Sequence, residues 1–226
     1  MRCARFVFIA AGTHVEHHER QETISPFRKT ILGLTALIVW LASSGIGSAQ
    51  PLVWTATSGE VRVTCPLTIG GSFEARTTAL TGSVSAGAGS ASLDGELSVD
   101  LKTLDTGIGL RNRHMLDNYL EVQKGGDFEV AAVSQIDLGT LQSGIADGTR
   151  PFTARLHLHG TTQAVSGTAK LITHGSSVRV EASFPIRISD YGIAEPRHLG
   201  VGVKNEIAVH VVFLATRIVP TVTRKN

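Results

Sequence analysis

Residues 91–102 read ASLDGELSVDLK, and their apolar side chains fall on alternate positions. Leu93, Leu97, Val99 and Leu101 share one face, while Asp94, Glu96, Ser98 and Asp100 share the other. Strict alternation over this length marks a β-strand with one face buried and one in water. The pattern returns three times. Val178, Val180, Ala182, Phe184, Ile186 and Ile188 alternate with Arg179, Glu181, Ser183 and Arg187. Phe152, Ala154, Leu156 and Leu158 alternate with Thr153, Arg155, His157 and His159. Ile207, Val209, Val211 and Phe213 do the same, but their opposite face (Ala208, His210, Val212, Leu214) is also mostly apolar. That predicts a strand covered on both sides.

Weaker strand patterns cover Glu60–Leu67, Phe73–Leu80, Phe128–Ile136 and Ala164–Thr173, for about eight strands in all. Turns fall at Gly70-Gly71, in the small-residue run Ser85–Ser90, and at Gly125-Gly126, Asp147-Gly148 and Gly175. One segment does not alternate. In 106–123, TGIGLRNRHMLDNYLEVQ, residues Leu110, His114, Leu116 and Leu120 recur at helical spacing, which predicts a short helical excursion near 108–120. Antiparallel strands with one apolar face bury it in a sandwich or a closed barrel. Eight in up-and-down order favour a barrel whose interior holds side chains or one small ligand. The expected fold is therefore all-β, an antiparallel up-and-down barrel with one helical excursion.

The first 49 residues read as a leader. Ile31–Ala42, ILGLTALIVWLA, is apolar and uncharged, follows Arg28 and Lys29, and precedes the small polar stretch SSGIGSAQ. Basic flank, apolar run and small-residue site make a secretory signal. Gly47 and Ala49 place the cut after Ala49, and the run falls short of the ~20 residues that span a bilayer. The His-rich stretch before it (His14, His17, His18) fits a true start further along, near Val15 or Ile24. The leader carries five of the 21 basic and three of the 19 acidic residues, so 16 of each remain and residues 50–226 form one neutral domain. A neutral domain without a basic stripe excludes a dedicated nucleic-acid binder. The two cysteines exclude a disulfide scaffold, and Cys65, in the alternating run VRVTCPL, reads as a small buried hydrophobe.

Catalytic motifs are missing: there is no GxSxG elbow, HExxH, P-loop or GxGxxG after a strand. His157 and His159 share a face, but no third ligand stands near them in sequence, so neither a metal nor a redox cofactor is expected. Asp105 and Asp190 precede the turn-like pairs Thr106-Gly107 and Tyr191-Gly192, where Asp commonly accepts from the turn backbone.

Three segments in order resemble the YceI-like family. Thr103–Glu121 (TLDTGIGLRNRHMLDNYLE) resembles it through Asp105, Thr106, Gly107, Arg111, His114, Met115, Tyr119 and Leu120. Phe152–Val165 (FTARLHLHGTTQAV) does so through His159, Gly160, Thr161 and Thr162, and Phe184–Ile193 (FPIRISDYGI) through Ser189, Asp190, Tyr191, Gly192 and Ile193. The resemblance spans roughly 54–215. It departs at the opening strand, which has Cys65-Pro66 and no His, and at Lys124, which is followed by Gly125-Gly126-Asp127. The resemblance implies a lipocalin-like barrel in an exported bacterial protein, without established enzymatic activity, that holds a polyisoprenoid or fatty-acid derivative.

Two classes of function follow. The first is a periplasmic or secreted carrier. Its ligand would lie against Leu93, Leu97, Val99, Leu156, Leu158, Phe184, Ile186, Val209, Val211 and Phe213. A polar mouth would be made by Arg111, His114, Asp190 and Tyr191, if the excursion and the Asp-Tyr-Gly turn share one end. The partner is a hydrophobic long-chain small molecule, with neither nucleic acid nor a membrane span in the mature chain; a homodimer stays open. The second is a hydrolase using His114 or His159 with Asp105 or Asp190. A structural envelope protein with a solid barrel is the third reading. A hollow apolar interior favours the carrier, a converged His–Asp pair beside a nucleophile the enzyme, and a filled barrel the structural protein.

Overall fold

The computed structural model describes residues 52–87, 90, 92–139, 147–198 and 200–218. The expected leader, its apolar run and the cut after Ala49 lie outside them. Among the described residues eleven strands follow one another: β1 (Leu52–Pro66), β2 (Ser72–Thr77), β3 (Leu80–Ala86), β4 (Ser92–Asp100), β5 (Val130–Asp137), β6 (Gly148–Leu158), β7 (Thr161–His174), β8 (Ser177–Arg187), β9 (Arg197–His198), β10 (Val201–Gly202) and β11 (Glu206–Ile218). Each long strand pairs antiparallel with its neighbour, and β11 returns to β1, so the sheet closes. The result is an eight-staved antiparallel barrel. β2 and β3 together make one stave, because both pair with β1, β2 along Val61–Pro66 and β3 along Leu52–Thr55. β9 and β10 form a separate two-stranded ribbon.

The staves carry the expected inward faces. Leu93 and Val99 of β4, Leu156 and Leu158 of β6, and Phe184 and Ile186 of β8 are all buried. β1 needs a correction of phase to do the same. Trp54 and Val61 are seven positions apart, so simple alternation would point them to opposite faces. The register jumps between Ala56 and Ser58, leaving Thr57 as an extra residue, and both Trp54 and Val61 end up buried. A bulge here re-aims half a strand, and the Thr57 hydroxyl donates to the Leu214 carbonyl at 3.1 Å.

Two expectations change. Phe73–Leu80 is broken into β2 and the start of β3, and β3 runs on to Ala86, into the stretch expected to be turn. The outer face of β11 is not covered: Ala208 is exposed, and His210, Val212 and Leu214 are half-buried. Single apolar side chains on a surface are ordinary, since more than half of a folded protein's accessible surface is apolar.

Between β4 and β5 the chain leaves the wall and crosses one end of the barrel. A 3-10 turn (Leu101–Thr103) leads to helix α1 (Gly109–His114), which runs into a wider π turn (Met115–Tyr119). This is the expected excursion. Its entrance is pinned to β2 by paired Arg76 and Asp105 backbone bonds of 2.8 and 2.9 Å. No helix among the described residues is long and apolar enough to cross a membrane.

Candidate functional site

The barrel is hollow. An apolar cavity of about 880 Å³ runs through it, within the range of roughly 300–1,000 Å³ usual for ligand sites. It is long: Trp54 and Cys65, eleven positions apart on β1, both line it. At about 3.3 Å per residue that separation is roughly 36 Å along the strand.

The two ends differ. At the Trp54 end the lining residues Leu138, Phe152, Leu171 and Val178 are buried. At the other end, Ile108 and Leu110 line the cavity yet are 49% and 58% exposed. The mouth therefore lies at the helical excursion. Arg111, His114, Asn118 and Tyr119 from the excursion line it, with Pro196 and Arg197 from the opposite loop. Arg111 lays its guanidinium over the Phe73 ring, 4.4 Å from the centroid. Cys65 lines the cavity beside them, and burial pushes its thiol up to about 11 against the pull of Arg111. That makes it a packing group at neutral pH rather than a nucleophile.

Twelve of the fourteen residues proposed from sequence line this cavity: Leu93, Leu97, Val99, Arg111, His114, Leu156, Leu158, Phe184, Ile186, Val209, Val211 and Phe213. Asp190 and Tyr191 are not among the lining. They sit in a 3-10 turn (Ile188–Tyr191) at the same barrel end, but the turn aims Asp190 into solvent and Tyr191 into the core, where it is 2% exposed. Burial pushes the Tyr191 phenol up to about 12. Asn118, Tyr119, Pro196 and Arg197 were not foreseen.

The helical excursion is fastened at both ends. At its start, Asp105 accepts from Gly107 N at 2.8 Å and from Asn112 Nδ2 at 2.7 Å. Asn112 Oδ1 in turn accepts from the Thr106 backbone at 2.8 Å and its hydroxyl at 2.6 Å. At its far end stands His159. His159 and Gly160 have φ of +51° and +72° and form the two-residue loop joining β6 to β7, the geometry that suits a hairpin's right-handed twist. The loop sends the imidazole across the barrel end. Its Nδ1 lies 3.0 Å from the Tyr191 carbonyl and its Nε2 3.1 Å from Glu121 Oε2, with the Phe128 ring edge-on at 4.6 Å. The three segments quoted from the sequence thus meet at one histidine.

This arrangement engages two of the four groups named in the hydrolase reading, His159 and Asp105. His159 is held by Glu121 and a carbonyl, and His157 lies 3.0 Å from the Thr162 hydroxyl. Asp105 is taken up by its own turn. Among the described residues no His, Cys, Asp and Glu cluster could hold a metal ion.

The two carboxylates at the ends of the excursion make it acid-sensitive. Asn112 and Gly107 hold Asp105 below its ordinary range, and Lys124, followed by His159, does so for Glu121. A depressed folded pKa contributes stability above the unfolded value, near 4, and loses it as pH falls through the folded one. Amide exchange across residues 105–123, corrected for intrinsic rates, should therefore accelerate below about pH 4 before that of β11 does. Equal acceleration in both regions would refute it.

Comparison with known proteins agrees with this architecture. A family model described as the YceI-like domain matches residues 54–215. A search of curated proteins returns no match. Among solved structures, a polyisoprenoid binding domain from Saccharophagus degradans, implicated in plant cell wall breakdown, aligns at 18% identity and a TM-score of 0.58, covering 75% of this chain and all of that one. Burkholderia cenocepacia BcnA aligns at 15% identity and a TM-score of 0.55, covering 70% of this chain and 96% of that one. At these identities the likeness speaks for the fold. The family model spans most of the barrel, from Trp54 on β1 to Ala215 on β11, and the chain belongs to the YceI-like domain family.

Proposed function

We propose that this protein is an exported carrier of a long-chain amphiphile, a polyisoprenoid or a fatty-acid derivative. The tail enters first, and the head stays at the mouth beside the helical excursion. One observation carries the reading: the apolar cavity is long, reaches the exposed Ile108 and Leu110 at the helical excursion, and is about 880 Å³ in volume. Burying each methylene of a tail contributes roughly 0.8 kcal/mol, so chain length alone gives affinity. A solid barrel, which a purely structural envelope role would have, is at odds with that volume. The Saccharophagus domain described as polyisoprenoid-binding supports the ligand class. The pattern of residues 28–49 supports export, to the periplasm or beyond.

Native mass spectrometry of protein purified from its own host, followed by lipid extraction, tests the reading. A co-purifying long-chain lipid is expected, with a mature N-terminus at Gln50. Absence of any lipid, together with no binding of added isoprenoids or fatty amides, would overturn it.

A further inference from the structure

We infer that the carrier selects amphiphiles with an anionic head, a carboxylate or a phosphate, and that Arg111 is the residue that selects them. This rests on the carrier reading and makes it narrower. Among the described residues lining the cavity there is no aspartate and no glutamate. The side chains there that are charged at neutral pH are Arg111 and Arg197, and His114 lines the mouth with them. An apolar bore whose charges all have one sign is complementary to a ligand of the other sign.

Of these groups Arg111 is the best placed. Arg197 is turned outward and already pairs with Glu195 at 3.3 Å. Elsewhere on the barrel Arg62, Arg76 and Arg179 likewise hold glutamates. Arg111 has no carboxylate partner among the described residues; its guanidinium lies over the Phe73 face, and its charge acts on the Cys65 thiol. Stacking on Phe73 fixes the guanidinium plane and leaves its N–H groups for a ligand. Half-buried at an apolar rim, it is less screened than a surface arginine. A planar guanidinium matches a carboxylate or phosphate through two parallel hydrogen bonds. Asn118, also lining the mouth, adds neutral donors beside it.

The test uses the full chain and two matched pairs of probes: a long-chain fatty acid with its primary alcohol, and a polyisoprenyl monophosphate with its alcohol. The wild type should prefer the acid of at least one pair by about 10- to 100-fold, the range of a hydrogen-bonded charge. The pair that shows the preference tells carboxylate from phosphate. Arg111→Gln should erase the preference, while Arg111→Lys should keep part of it. Circular dichroism and thermal melting beside the wild type check that each variant is folded. Equal binding of acid and alcohol by the wild type, or equal weakening of both by Arg111→Gln, would overturn the inference and leave the carrier standing. Failure of all four probes to bind would overturn both.

Discussion

Replacing Ala182 with phenylalanine is expected to weaken binding of a long-chain ligand about a thousandfold, while a short-chain analogue loses less than about threefold. Ala182 lies halfway along β8, on the inward set with Val180 and Phe184, and it lines the cavity. Its cross-strand neighbours are Ala169 and Val211. Ala169 is equally small and also lines the bore, so the wall on that side of Ala182 is shallow. A phenyl group added there divides the cavity. Any tail reaching past it loses its deeper methylenes at roughly 0.8 kcal/mol each, and six lost methylenes amount to about 5 kcal/mol, more than a thousandfold. A tail that stops above residue 182 is indifferent. The ring enters open space, so the usual overpacking cost of about 1–3 kcal/mol should be largely avoided. Titration of a chain-length series against wild type and variant, with thermal melting of both, measures this. An unchanged affinity for the longest chain would mean that the tail does not occupy the bore.

This prediction was available because the inward faces of β4, β6, β8 and β11 are written plainly in the chain. Where apolar and polar residues alternate without interruption, as in Val178–Ile188, period two decides both the strand and its buried side. The misreadings occur where a local device resets the count. Thr57 inserts one residue into β1, so no single parity connects Trp54 to Val61. β3 is hard to read in LTGSVSA because its inward residues, Leu80, Val84 and Ala86, are accompanied by Gly82, Ser83 and Ser85, whose composition reads as turn. The outer face of β11 differs from its pattern for the opposite reason. Its outer Ala208, Val212 and Leu214 are apolar, but apolar composition on a strand does not by itself require a cover.

The site was legible in a different measure. The apolar lining follows directly from the alternation. Arg111 and His114 came through the resemblance of Thr103–Glu121 to a known family, and both line the mouth. Asp190 and Tyr191 came the same way and lie at the same barrel end, but a short 3-10 turn decides where side chains point, and it turns these two elsewhere. The Glu121–His159 contact joins residues 38 positions apart and depends on a positive φ at both. No periodicity encodes such a pair. Arg197 and Asn118 reach the mouth only because two connections fold over the same rim, which is a property of closure and not of either segment.

The largest loss of stability is expected from Gly82→Ala. Gly82 lies inside β3, opposite Leu97 of β4, with φ of +119°. An L side chain rarely adopts that backbone conformation, and forcing it costs about 1–3 kcal/mol. Space is the second obstacle. An added Cβ would overlap the Glu96 carbonyl oxygen and sit 3.0 Å from Leu97 Cα. Both are backbone atoms of the next stave, so no rotamer change can relieve the overlap; the β3–β4 pair itself must spread. Gly95 mirrors the arrangement on β4, with φ of +116° and a Cβ position against the Ser83 carbonyl. The two glycines let this corner of the barrel bend while its ladder stays closed. Strain and spreading together should cost about 3–5 kcal/mol, which lowers the melting temperature by roughly 10–15 °C in a domain of this size. Gly70→Ala separates the two causes. Gly70 also has a positive φ, +99°, but nothing lies within 4 Å of its Cβ position, so that variant should pay for conformation alone. Thermal and denaturant melts of the two variants beside the parent make the comparison. A Gly82→Ala protein that melts with the parent, or no lower than Gly70→Ala, would mean that β3 and β4 do not approach each other this closely.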